Sequence, residues 1–140
     1  IGVGTVTGTY LATHAVDGSV ESIRERTSGG SKSSRYSYLE HTWLFSVQAG
    51  ISVTFNVTGR RTASTDGDTM VFAYSVNGGA SYQDLPINLG TGTSNGSFSA
   101  ALPAATAGNV RIRVRDSNRT ARTIALDTVY IDEMNITTLN

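Results

Sequence analysis

The strict two-residue alternation of Ile51-Ser52-Val53-Thr54-Phe55-Asn56-Val57 constrains this chain more than any other feature. Side chains that switch between apolar and polar at every step are sorted onto two faces only by an extended backbone. The segment therefore predicts a strand with one dry and one wet face. Val110, Ile112 and Val114 set against Arg111, Arg113 and Arg115 repeat the pattern. It recurs over Thr69–Val76, with Met70, Phe72, Tyr74 and Val76 on the apolar side. Asn77-Gly78-Gly79 follows at once and predicts a hairpin, because positive φ costs little at such residues. The returning strand is expected over Ser81–Asn88, with Pro86 marking an edge or a strand end.

Tyr36–Gln48 reads as one long strand. Leu39, His41, Trp43, Phe45 and Val47 share one face; Tyr36, Tyr38, Glu40, Thr42 and Leu44 share the other. Gly4–Ala12 and Val16–Thr27 are weaker strands, Asn95–Leu102 is stopped by Pro103, and Asp127–Ile136 closes the chain. No segment carries a convincing helical period. About nine strands at this spacing predict an all-β, antiparallel β-sandwich with residues 1–140 as a single domain. Ser28–Ser34 has the composition of a linker, but strands flank it closely and a surface loop is expected.

Composition removes several function classes. With no cysteine, disulfides, zinc–thiolate sites and thiol catalysis are excluded. A formal net charge of zero gives no field for nucleic acid or an acidic membrane. No apolar run approaches the roughly 18 residues of a membrane-spanning helix. Abundant Ser, Thr and Gly suit the strands and turns of an extracellular β domain, so a secreted protein is expected. A start at Ile1, with no basic-then-apolar leader, suggests a processed or excised piece of a larger chain with neighbouring domains.

Two segments resemble known modules. Phe72-Ala73-Tyr74-Ser75-Val76-Asn77-Gly78-Gly79-Ala80-Ser81-Tyr82 resembles a hairpin of reelin-like jelly rolls. Leu126-Asp127-Thr128-Val129-Tyr130-Ile131-Asp132-Glu133-Met134-Asn135-Ile136 resembles the final strand of galactose-binding-like jelly rolls, many carbohydrate-binding modules among them. Arg35–Val47 and Ile112-Arg113-Val114-Arg115-Asp116 look like C-terminal accessory domains of large secreted bacterial proteins. The resemblance implies a jelly-roll sandwich that binds sugars, lipids or proteins, or that spaces its neighbours.

No catalytic constellation is present. His14 and His41 are the two histidines; His41 shares the apolar face of its strand and reads as a core-edge residue. No nucleophile elbow, zinc-binding helix or phosphate-cradling loop occurs, and no paired carboxylates stand out. Asp66-Gly67-Asp68 places two carboxylates two residues apart in a turning loop, an oxygen-rich arrangement suited to Ca²⁺. The same aspartates also read as ordinary turn formers. The likeness to calcium-bearing jelly rolls favours a structural Ca²⁺ and makes Asp127 the third carboxylate.

Arg111, Arg113 and Arg115 form a basic row with side chains about 7 Å apart. Such a row can grip the carboxylates or sulfates of an acidic polysaccharide. It can equally pair with Glu21, Glu25 or Glu40 on neighbouring strands, and zero net charge favours that ladder. Trp43 would be the obvious stacking platform for a sugar ring, yet its phase places it in the core. Tyr36, Tyr38 and Tyr82 are the exposed aromatic residues expected, with Glu40 beside the first two. The chain thus reads as a carbohydrate-binding module for a polysaccharide or glycan; a structural or adhesion domain contacting protein is the alternative.

Overall fold

The computed structural model describes residues 2–140. Its strands are β1 (Gly2–Val3), β2 (Thr5–Thr7), β3 (Glu21–Arg24), β4 (Arg26–Thr27), β5 (Ser37–Tyr38) and β6 (Glu40–Val47). They continue with β7 (Ser52–Arg61), β8 (Met70–Ser75), β9 (Gln83–Asp84), β10 (Gly96–Leu102), β11 (Gly108–Asp116) and β12 (Thr128–Leu139). One sheet has the order β1-β6-β11-β8-β9 and the other β10-β7-β12-β3-β2. Every pairing within them is antiparallel. The two sheets face each other as a jelly-roll sandwich, and β4 and β5 form a short separate pair.

The alternating segments supply the core. Val53, Phe55 and Val57 of β7 and Val110, Ile112 and Val114 of β11 are all buried, on opposite sheets. Phe55 meets Phe72 of β8 across the sandwich, ring centres 6.1 Å apart. Ile51 lies outside this pattern at 72% exposure, because β7 begins at Ser52. Val76 is likewise exposed, since β8 ends at Ser75 where the hairpin turns away.

Two expected strands are interrupted where side chains take over backbone groups. Tyr36–Gln48 divides at Leu39, whose N–H donates to Asp116 Oδ1 and whose carbonyl accepts the Asp116 N–H. Val16–Thr27 divides at Glu25, which exchanges hydrogen bonds with Asp127: the Glu25 N–H donates to the Asp127 carbonyl and the Asp127 N–H to Glu25 Oε2. The return after the hairpin is strand only at Gln83–Asp84. Beyond it, Leu85, Ile87 and Leu89 still point inward as an irregular buried strap, with exposed Pro86 among them. Part of Gly4–Ala12 is a 3-10 turn over Tyr10–Thr13, capped by Thr9.

Candidate functional site

Glu21 and Glu25 share strand parity with Ile23, and the fold buries all three. Neither glutamate reaches the arginine row, so that part of the expected ladder is overturned: Glu21 lies on the opposite sheet, Glu25 lies at the β3–β4 junction, and both are buried. Glu21 receives a hydrogen bond from Trp43 Nε1 at 3.0 Å and lies 3.2 Å from His41 Nε2. Burial alone would push the Glu21 carboxyl up, but the bonds from His41 and Trp43 outweigh it and hold the group below its ordinary range. Trp43 is therefore a core residue with a satisfied indole, not a platform for a ligand.

The expected metal residues converge. One oxygen each from Asp66, Asp68 and Asp127 lies within 4.8 Å of the others, and Glu25, Asp68 and Asp116 form an overlapping group. Gly67, at φ +83°, turns the loop that brings Asp66 and Asp68 together. Part of the cluster does turn work: Asp68 Oδ1 accepts the N–H groups of Ser117 and Asn118, and Ser64 Oγ donates to Asp66 Oδ1. Among the described residues, four buried carboxylate oxygens nonetheless have no hydrogen-bond partner: Glu25 Oε1, Asp66 Oδ2, Asp68 Oδ2 and Asp127 Oδ2. Burial, reinforced by the nearby Asp68 and Asp127 charges, pushes the Glu25 carboxyl up to about 8. Burial also raises Asp127. Anionic oxygens packed together without partners are costly unless a proton or a cation joins them, and a hard divalent cation fits this all-oxygen set. Asp116 is set apart by its bidentate pairing with Arg119.

The outer face of the β1-β6-β11-β8-β9 sheet carries the second site. A cleft of about 490 Å³ is lined by Glu40, Thr42, Arg111 and Arg113 on the sheet and by Gly79–Tyr82 on the hairpin. The guanidinium of Arg113 stacks 4.0 Å above the Tyr82 ring and lies 3.4 Å from Glu40 Oε1. Gly79 forms part of the wall at φ +90°, a backbone conformation that L side chains rarely adopt, and its Cβ position lies 2.9 Å from an Arg111 nitrogen and 3.2 Å from the Tyr82 hydroxyl. Glu40, Tyr82, Arg111 and Arg113 therefore come together. Tyr36, Tyr38 and Arg115 do not line the cleft. The two tyrosine rings meet edge-to-face with centres 5.7 Å apart, Arg119 sits over Tyr38, and Arg115 reaches the Asp116 carbonyl at 3.5 Å.

This architecture has solved counterparts. The fold is shared with carbohydrate-binding modules. TmCBM61, in complex with β-1,4-galactotriose, matches 99% of this chain and 86% of its own at a TM-score of 0.59 and 12% identity. A CBM4 structure matches 97% of this chain and 78% of its own at a TM-score of 0.53 and 13% identity. No family model matches the sequence, and no curated protein does.

Sequence reasoning missed Thr42 and Gly79–Ser81 in the cleft and Glu25 in the acidic cluster. The signal for Glu25 was present in the parity of Glu21, Ile23 and Glu25, which puts two acids on a face that must be dry. Buried acids need partners, and that requirement points to a polar network or an ion.

Proposed function

We propose that this protein is a non-catalytic carbohydrate-binding module, with the outer-face cleft as its glycan site and a structural Ca²⁺ at the acidic cluster. The observation that carries the reading is the cleft itself. In it a hairpin sets Tyr82 against a sheet bearing Arg111, Arg113, Glu40 and Thr42. Sugars present hydroxyls that need paired donors and acceptors, and ring faces that pack on flat side chains; this lining offers both. The sharing of the fold with carbohydrate-binding modules supports the same reading.

Asp66, Asp68, Asp127 and Glu25 would hold the Ca²⁺, which supplies positive charge to four oxygens that otherwise lack partners. The cation clamps the Asp66–Asp68 loop to the start of β12, away from the cleft lining. Attachment to a secreted enzyme or surface protein belongs to the same proposal.

A glycan microarray probed with the parent and with Tyr82→Ala tests it. Binding to a defined set of glycans, weakened on the order of tenfold or more in the variant, is the expected outcome for loss of a central aromatic contact. Silence across the array would instead favour a structural or adhesion domain that contacts protein.

A further inference from the structure

We infer that the cleft is built for an anionic glycan, and that Arg111 is the group that grips a uronate carboxylate. This deepens the carbohydrate-binding reading and rests on it.

The register of β11 carries the argument. Arg111 stands opposite Leu44 on β6 and Ser75 on β8, and Arg113 opposite Thr42 and Ala73. Arg115 stands opposite Glu40 and Val71. Neither neighbouring strand places an acid beside Arg111. Among the described residues Arg111 makes no ion pair, and its side chain is exposed at the cleft. A ladder of cross-strand pairs thus accounts for Arg113, through Glu40, and leaves Arg111 uncompensated. Asp84 lies on the same face, opposite Ala73, and makes no ion pair with the row. The cleft lining holds two guanidinium groups and one carboxylate, a net positive charge inside a protein whose formal net charge is zero.

The aromatic groups point the same way. Tyr82 already has Arg113 on one face, and Tyr36, Tyr38 and Trp43 do not line the cleft. A neutral chain that depends on stacking finds only the remaining face of Tyr82 here. A planar carboxylate finds an unengaged guanidinium fork that can donate two parallel hydrogen bonds. Gly79 holds the hairpin backbone against Arg111, which limits where that fork can go.

Isothermal titration of the whole chain with an oligogalacturonate, a neutral β-1,4-galactan of equal length and a sulfated galactan tests the assignment. Parent and Arg111→Gln are compared, with matched melting temperatures as the folding control. The oligogalacturonate is expected to bind at least tenfold more tightly than the neutral chain. That preference should collapse in Arg111→Gln, a tenfold loss being the size of one charged hydrogen bond. Raising salt from about 0.01 M to about 1 M shrinks the Debye length from about 30 Å to about 3 Å, and should weaken the anionic ligand selectively. Equal affinity for neutral and anionic chains overturns the anionic assignment while leaving a carbohydrate-binding module in place. Equally tight sulfated galactan overturns the carboxylate assignment, and undiminished uronate binding by Arg111→Gln overturns the role of Arg111. Absence of binding to all three overturns this inference; the array result then decides separately whether the broader reading survives.

Discussion

Individual side chains in this protein carry unequal burdens, and the burial of Ile112 and Glu21 illustrates both kinds. Ile112 is fully buried between the sheets. Ile112→Ala should cost about 2–5 kcal/mol, read as a lowered urea midpoint with an unchanged slope. Glu21 is a charge inside the sandwich, held by Trp43 and His41. Its carboxyl sits below its ordinary value of 4.5, so the folded state favours the ionised form. That stabilisation is present above pH 4.5 and is lost as pH falls through the folded value. Urea midpoints measured from neutral to acid pH should therefore fall more steeply for the parent than for Glu21→Gln. Parallel curves would show that Glu21 contributes no pH dependence. The burial of Trp43 was legible from its parity with Leu39 and Val47. Its bond to Glu21 was not, because it joins strands on opposite sheets whose relative placement no local pattern encodes.

At the scale of elements, two short loops decide what the sandwich can do. The Asp66–Asp68 loop meets the β3–β4 junction and the start of β12, so that carboxylates distant in sequence crowd together. Binding of Ca²⁺ only to the folded state would add about 2.7 kcal/mol at a hundredfold excess over Kd. For a chain of this length that is a rise of several degrees in Tm. Above the value of about 8 to which burial pushes its carboxyl, Glu25 is ionised, and in melts at such a pH Glu25→Gln removes one charge from the cluster with little change of shape. It should melt above the parent in EGTA and lose most of the response to Ca²⁺. Thermal melts of both proteins, with calcium and with chelator, check both statements; the four melts coinciding would reduce the cluster to turn residues. The hairpin wall is the other such element. Gly79→Ala places a side chain at positive φ and against Arg111, so it should cost about 1–2 kcal/mol and displace the cleft wall. The Asn77-Gly78-Gly79 signal made this turn readable from sequence, whereas its position over Arg111 depends on the β8–β11 register.

For the whole molecule, the alternating runs of β7, β8 and β11 made the architecture legible, since a two-residue period admits one kind of element and one buried face. The candidate site was legible in part. Glu40, Tyr82, Arg111 and Arg113 meet in one cleft, while Tyr36, Tyr38 and Arg115 lie outside it. The reason is the Asp116–Leu39 interaction, which divides the expected long strand and leaves the two tyrosines on β5 and the segment before it. An aromatic strip continuous with the cleft would have required an unbroken β6. The central claim is that the outer face of the β6–β11–β8 sheet receives a glycan. Backbone-amide shift mapping by NMR during titration with the tightest-binding glycan of the array tests it most directly. Perturbations confined to Glu40, Thr42, Gly79–Tyr82 and the Arg111–Arg113 segment are the predicted result. Perturbations centred on the opposite face, around Asn56, Ser99 and Asn135, or none at saturating ligand, would contradict it.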